Sequence, residues 1–254
     1  MTQERRDVKT SVWLENLTWV EAEEVLSDYE VVMIPLGART KEHGPHLPLN
    51  NDWVMAEYLA ERAAAEVPVV VMPTIQYGYY PSFLEYPGSV SLKLETLREL
   101  VKDICISMSG YGPSKFYVLN TGVSTVRGLA PAAEDLAEMG IEMRYTDILK
   151  AGRVAETGIS VQEGGTHADE METSMMLYIK SDIVDMSKAV KDYHPLGGRG
   201  LTRDPENKEA GVFSASGVYG DATLATVEKG RTAVEARVEH IVEEIKAFME
   251  APAR

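Results

Sequence analysis

Hydrophobic residues occur in short runs that alternate with amphipathic segments along the chain. Four apolar runs have the length of strands: 31–36, 67–72, 116–119 and 141–145. Between them, apolar residues recur at helical spacing over 52–65, 92–108 and 129–139. Because the strand-like runs are apolar throughout rather than at alternate positions, they are typical of a parallel sheet with helices on both faces. The pattern therefore predicts an α/β fold with a mostly parallel central sheet.

The rest of the pattern favours a single domain over residues 1–254, because no internal repeat or low-complexity linker divides the chain. The length is sufficient for one large hydrophobic core or for two small ones. Segment 192–216 is rich in Gly, Pro and charged residues, which predicts a loop. A long amphipathic helix is predicted over 223–249.

Composition restricts the partners and the location. The net charge of −15 disfavours nucleic acid and anionic membranes as partners. The N-terminus lacks the apolar core of a signal peptide, and no apolar run approaches the ~20 residues that span a bilayer, so a cytoplasmic protein is expected. Cys105 is the only cysteine, which excludes an intrachain disulfide, and its apolar surroundings predict a buried small hydrophobic residue rather than a nucleophile.

Segment 41–52 carries the first candidate chemistry. Glu42, His43, His46 and Asp52 follow the first strand-like run, on a stretch that Gly44 and two prolines keep irregular. Imidazole and carboxylate groups are ligands of zinc, manganese and iron(II), which indicates a metal site. The alternatives are a hydrogen-bonded structural role for either histidine, and a helix N-cap at Asp52 or its neighbour.

Segment 164–174 carries the second candidate cluster. His167 and Glu172 are about 140° apart on a helix, so they converge only if His167 precedes the helix and Glu172 lies in its first turn. The alternative is that Asp169 and Glu172 form a capping box. His194 and His240 lie in a Gly/Pro-rich loop and on a polar helix, and ordinary surface roles are expected for both.

The two clusters are expected to meet at one edge of the sheet. In parallel sheets, sites form where the strands end, and the first three strands are followed by the His43 loop, by 77–81 and by 120–122. Plausible substrate-pocket residues on the latter two loops are Tyr77, Tyr79, Tyr80 and Asn120. Half-buried packing is the alternative for the tyrosines.

Together these motifs resemble the creatininase (creatinine amidohydrolase) family. Four stretches between residues 19 and 248 carry the resemblance: 34–52, 86–89, 167–174 and 217–230. It implies a three-layer α/β/α sandwich, a homohexamer, and two divalent metals bridged by an aspartate. Asp52 matches the bridging position and His43 a metal ligand. His167 matches a catalytic or substrate-contacting histidine, and Glu172 a metal ligand or site carboxylate.

The chain departs from the family pattern at three places. The first motif usually reads Glu-Gln-His-Gly, whereas here Lys41 stands in the position of the glutamate and Glu42 follows it. The stretch 120–125 lacks the usual histidine, and Ser82-Phe83 replaces a Glu-His pair. His43, Asp52 and Glu172 remain, and three protein ligands with an open position are typical of a catalytic metal. We therefore predict one well-held ion of zinc, manganese or iron, with a second weak or absent.

The predicted activity is hydrolysis of a C–N bond in a small cyclic amide, amidine or formamide by metal-activated water. His167 is the predicted general acid/base, and Glu42 either binds the metal or acts as a base. His46 orients a ligand or reaches the substrate. Two alternatives stay open: non-hydrolytic or lactone chemistry at a single metal, and a catalytically silent, oligomeric binding protein.

Overall fold

Five parallel strands form the central sheet of the computed structural model, which describes residues 10–195, 200–207 and 211–252. The strands are β1 (Val12–Trp13), β2 (Val31–Leu36), β3 (Val70–Val71), β4 (Lys115–Asn120) and β5 (Glu142–Tyr145). Their order across the sheet is β1-β3-β2-β4-β5, and every neighbouring pair is parallel. The predicted parallel sheet is confirmed, with β2 and β4 at its centre.

Helices cover both faces of the sheet. They are α1 (Trp19–Leu26), α2 (Asn51–Glu66), α3 (Leu94–Ser109), α4 (Val126–Glu138), α5 (Arg153–Ile159), α6 (Glu170–Lys180) and α7 (Val227–Glu250). One hydrophobic core lies under α1, α3 and α4, and the other lies under α2, α6 and α7. The result is the predicted three-layer α/β/α arrangement.

The alternation of side chains in β2 explains why its sequence is apolar throughout. Val31 and Met33 pack into the core beneath α2, α6 and α7, whereas Val32 and Ile34 pack into the opposite core. Successive strand residues point to opposite faces, so a strand covered on both sides has no position for a solvated polar residue. Cys105 lies in the core under α1, α3 and α4, where burial raises the pKa of its thiol to about 12.

Several predicted boundaries need correction. The strand predicted over 67–72 is limited to Val70–Val71, the two residues that pair with both β1 and β2. The helix predicted from residue 223 begins at Val227, because 222–224 form a separate 3₁₀ turn and the Thr226 hydroxyl accepts from Lys229 N at 3.3 Å. The short elements β1, α1 and α5 had no counterpart in the prediction.

The loop predicted over 192–216 contains more structure than expected. Strands β7 (Leu201–Thr202) and β8 (Val212–Phe213) lie within it and pair with each other. Strand β6 (Lys191–Asp192) at its start pairs with β9 (Gly220–Asp221). Residues 196–199 and 208–210 of this segment lie outside the described residues. Across the described ranges, no helix is both long enough and apolar enough to cross a membrane.

The loops that follow β2, β3 and β4 meet at the carboxyl edge of the sheet, as predicted. Gly37 N donates to Ile75 O at 3.1 Å, which joins the first loop to the second. The Thr121 hydroxyl donates to Asp52 O at 3.1 Å, and this bond joins the third loop to the start of α2. The candidate residues therefore lie on one hydrogen-bonded platform.

Candidate functional site

His43 is fully buried, and both of its ring nitrogens face oxygen acceptors. Its Nδ1 lies 2.9 Å from Lys41 O, and its Nε2 lies 2.8 Å from Asp52 Oδ1. A histidine that binds a metal ordinarily donates its other ring N–H to a carbonyl or carboxylate, which fixes the tautomer. The Lys41 carbonyl is an acceptor of this kind for Nδ1, and in that tautomer the lone pair of Nε2 faces Asp52.

Asp52 lies in the first turn of α2 and is not its N-cap. The capping position is Asn50, whose side chain makes no cap hydrogen bond, so the interpretation of Asp52 or Asn51 as a cap is wrong. The second carboxylate oxygen of Asp52 lies 2.6 Å from Lys41 Nζ. Burial opposes ionisation of Asp52, but Lys41 and His43 outweigh it and hold its pKa well below the ordinary value.

Glu42 and His167 form a buried acid–imidazole pair. Glu42 Oε2 lies 3.0 Å from His167 Nε2, and Gly44 N donates to the other carboxylate oxygen. Burial raises the pKa of Glu42, yet the charge and hydrogen bond of His167 lower it overall. Burial likewise lowers the pKa of His167, but Glu42 raises it overall. The two side chains therefore stabilise each other's charged forms.

Glu172 and His167 converge as the sequence required. His167 lies in the loop before α6, and Glu172 lies in the first turn of that helix, with its Oε2 3.7 Å from His167 Nδ1. Asp169 caps α6 by accepting from Met171 N and Glu172 N, both at 3.0 Å. The capping-box alternative is only half correct, because the Glu172 carboxylate accepts from Ala168 N instead of from the cap residue.

His43, His167 and Glu172 bring one ligand atom each to within 4.8 Å of one another. Two imidazoles and a carboxylate match the donors that zinc, manganese and iron(II) accept in proteins, and Asp52 contacts the same His43 nitrogen. The residues present therefore fit a divalent metal. The structure adds His167 to the possible ligands, because its Nδ1 faces Glu172 while Glu42 engages Nε2.

His46 connects the first loop to α6 instead of joining the donor cluster. Its Nε2 lies 2.7 Å from Thr173 Oγ1, and its Nδ1 is buried with no hydrogen-bond partner among the described residues. Burial lowers the pKa of His46 to about 4, with the charge of His43 as a second cause. His46 thus holds α6, and with it Glu172, against the His43 loop.

The predicted pocket residues occupy different environments. Tyr77 is 45% exposed, and Tyr79 packs against the core under α1, α3 and α4. Tyr80 is buried with its hydroxyl unpaired among the described residues. The Asn120 amide is occupied by its own loop, since it donates to Gly122 O at 2.8 Å and accepts from Gly122 N at 3.0 Å.

Phe83 lines the cluster and had not been assigned a role in the site. Its ring centroid lies 4.4 Å from that of His167. In the sequence, the only signal that marked Phe83 was that Ser82-Phe83 replaces the Glu-His pair of the family pattern.

The two remaining histidines lie outside the cluster. His194 pairs with Asp192 at 3.1 Å and His240 with Glu244 at 3.4 Å, and both histidine side chains are partly exposed.

The fold and these donors together define an α/β protein with a candidate metal site at the carboxyl edge of a parallel sheet. The model of the Creatininase family, described as creatinine amidohydrolase, matches residues 15–245. The chain therefore belongs to the creatininase family, whose members are metal-dependent hydrolases.

Three curated relatives illustrate the range of names within the family. Creatinine amidohydrolase of Pseudomonas putida is 29% identical, with 93% of this chain and 96% of the relative covered. The 3-dehydro-scyllo-inosose hydrolase of Thermotoga maritima is 26% identical, with 95% and 85% covered. A mycofactocin precursor peptide peptidase of Mycolicibacterium smegmatis is 30% identical, with 86% and 85% covered.

Solved structures agree with this assignment. A structure named creatininase Mn superposes with a TM-score of 0.80 at 25% identity, covering 95% of this chain and all of the other. A creatininase mutant of the Zn-Zn type gives a TM-score of 0.78 at 26% identity, covering 96% of this chain and all of the other. The names of these relatives specify manganese in one case and a zinc pair in the other.

Proposed function

We propose that this protein hydrolyses a C–N bond in a small cyclic amide, amidine or formamide. The observation that carries the proposal is the position of the Glu42–His167 pair directly beside the donors His43 and Glu172. A proton-transfer pair next to a metal-type donor set is the arrangement that metal-assisted hydrolysis requires.

We assign the metal to His43, Asp52 and Glu172. His43 and Asp52 already lie in contact, and Glu172 reaches the same cluster from α6. A divalent metal in such a set supplies a water of lowered pKa and polarises a carbonyl group. The candidates are zinc, manganese and iron(II), and one ion per chain is expected.

His167 serves as the general acid/base in this proposal. Glu42 Oε2 accepts a hydrogen bond from His167 Nε2, which favours the His167 tautomer whose Nδ1 carries a lone pair. That nitrogen faces Glu172, on the side where the donors converge. His167 can therefore take a proton at Nδ1 while Glu42 stabilises the imidazolium, and then deliver the proton to the leaving nitrogen.

The immediate test is a substrate panel with the purified full-length protein. It contains creatinine, further cyclic amides and amidines, and formamides, each assayed with metal-loaded and chelator-treated enzyme. Turnover that is lost with chelator and restored by one metal supports the proposal. The panel also includes an inosose and a short peptide, because relatives carry those names. Turnover of these compounds alone would replace the proposed substrate class, and no turnover at all would favour the silent binding protein.

The assembly is a second part of the proposal. The family resemblance supports a homo-oligomer, with a hexamer as the specific expectation. Exposed apolar side chains on the loops at the carboxyl edge, such as Leu84 and Val123 at 56% and 51% exposure, are compatible with subunit contacts. Light scattering coupled to size exclusion would measure the mass, and a monomer at micromolar concentration would contradict the expectation.

A further inference from the structure

Lys41 places a buried ammonium group inside the donor cluster. The residue is 5% exposed, and its Nζ lies 2.6 Å from Asp52 Oδ2. Lysine is almost never fully buried unless it is paired, and an ammonium is a compact point charge. The position of this charge is therefore fixed by the carboxylate of Asp52.

The two oxygens of Asp52 face two different cation positions. Oδ1 contacts His43 Nε2, on the side where His167 and Glu172 add further donors. Oδ2 contacts Lys41 Nζ. The carboxylate thus separates a side with several metal-type donors from a side that already holds a positive charge.

Aromatic rings form the wall on the lysine side. Nζ of Lys41 lies 5.2 Å from the centre of the Tyr80 ring and 4.9 Å from that of Phe83. Ring faces attract an ammonium within about 6 Å. A divalent metal would instead need oxygen, nitrogen or sulfur ligands. This wall therefore suits the lysine better than a metal ion.

We propose that Lys41 supplies a permanent positive charge in place of a second metal ion and so restricts the site to one metal. The inference rests on the proposed metal-dependent function. A metal bound to Asp52 Oδ2 would sit about 2.0–2.2 Å from that oxygen. The ammonium lies 2.6 Å from the same oxygen, so the two cations would compete for one position and repel each other.

The experiment compares metal stoichiometry in four forms of the full chain. Wild type, Lys41→Glu, Lys41→Met and Lys150→Glu are stripped with chelator, dialysed and titrated with Mn²⁺ and with Zn²⁺. Equivalents bound are counted by calorimetry and elemental mass spectrometry. Lys150→Glu makes the same charge change at a side chain that is 77% exposed. We expect one equivalent for wild type and Lys150→Glu, and two for Lys41→Glu, because a carboxylate replaces the competing ammonium.

The outcomes separate this inference from the proposed function. Two equivalents of bound metal in wild type would overturn the role of Lys41. So would a Lys41→Glu variant that binds no more metal than wild type. If wild type binds no metal and Lys41→Glu binds one equivalent, the exclusion of a metal ion by Lys41 is supported. The same result would contradict the proposed metal-dependent hydrolysis by the wild-type protein. If Lys41→Glu does not fold, Lys41→Met is decisive: added metal should raise its melting temperature more than that of wild type, and an equal rise would overturn the inference.

Discussion

At the scale of single residues, the site depends on how each polar atom is engaged. Both ring nitrogens of His43 face oxygen atoms, and Glu42 contacts His167. Lys41 forms an ion pair with Asp52. Buried charges are stable only when they are paired, so removing one partner leaves the other at a cost of several kcal/mol. Substitutions that keep the shape and hydrogen bonds of a side chain are therefore the most informative.

Glu172→Gln is expected to weaken metal binding at least about tenfold and to leave the fold intact. The amide oxygen can still accept from Ala168 N, so only the charge of the ligand is lost. Competition with a chromogenic chelator measures the affinity. Glu163→Gln, at a side chain 71% exposed, is the matched control and should bind metal like wild type. Unchanged affinity in Glu172→Gln would remove Glu172 from the ligand set.

Gly217→Ala should displace Glu42 from His167. Gly217 has a φ of 81°, and a Cβ there would lie 2.0 Å from Glu42 Oε1. We expect the pKa of His167 in the metal-free protein to fall, because the carboxylate that raises it has moved away. Histidine NMR across a pH titration measures this change.

Gly158→Ala is the control for Gly217→Ala. Apart from the backbone of its own helix and its chain neighbours, no atom of the described residues lies within 4 Å of a Cβ placed at Gly158 in α5. This control should be as stable as wild type or gain about 0.5–1 kcal/mol. An unchanged His167 titration in Gly217→Ala would show that Glu42 does not depend on the glycine.

At the scale of elements, α6 carries Glu172 and is positioned by its contact with α7. Gly230 of α7 lies against the α6 backbone, where a Cβ would be 1.8 Å from Ser174 O. Lys229 reinforces the contact through an ion pair with the buried Glu170. The two helices approach closely because the glycine has no side chain.

Gly230→Ala should therefore destabilise the protein by about 1–2 kcal/mol. Alanine is the better helix former by about 1 kcal/mol, but the clash is with backbone and is relieved only by moving a helix. Urea denaturation measures the change. A variant as stable as wild type would show that the two helices can separate freely.

Element prediction succeeded where the local pattern was decisive and failed where pairing between distant segments set the boundary. Strand β2 was predicted at both ends, since its apolar run is bounded by polar and glycine residues. Strand β1, with two residues, exists only through pairing of Val12 and Trp13 with β3. The contact of Lys41 with Asp52 depends on the path of an irregular loop, which residue periodicity does not describe.

At the scale of the whole molecule, stability should depend on pH through His46. In the folded protein its pKa is about 4, against an ordinary 6.5, so between these values the unfolded chain binds more protons. Stability therefore decreases as the pH falls from about 6.5 to about 4. The contribution of this one group amounts to about 3 kcal/mol over that range.

His46→Gln should remove this part of the pH dependence. Glutamine can keep a hydrogen bond to Thr173 but does not titrate. Denaturation at pH 7 and at pH 4 in both proteins gives the comparison, and acidification should cost wild type more than the variant. Equal losses of stability in the two proteins would mean that the pKa of His46 is not lowered in the folded state.

Helix α7 has a consequence for the growing polypeptide on the ribosome. It supplies much of the core on one face of the sheet: Ala233, Val234, Val238, Ile241, Val242, Ile245 and Phe248. The three longer strands precede residue 146, so the nascent chain presents that face, with Val31, Met33 and Tyr117, before α7 has been made. Such a surface is prone to aggregation, so this protein should need chaperone protection until residues 227–250 emerge.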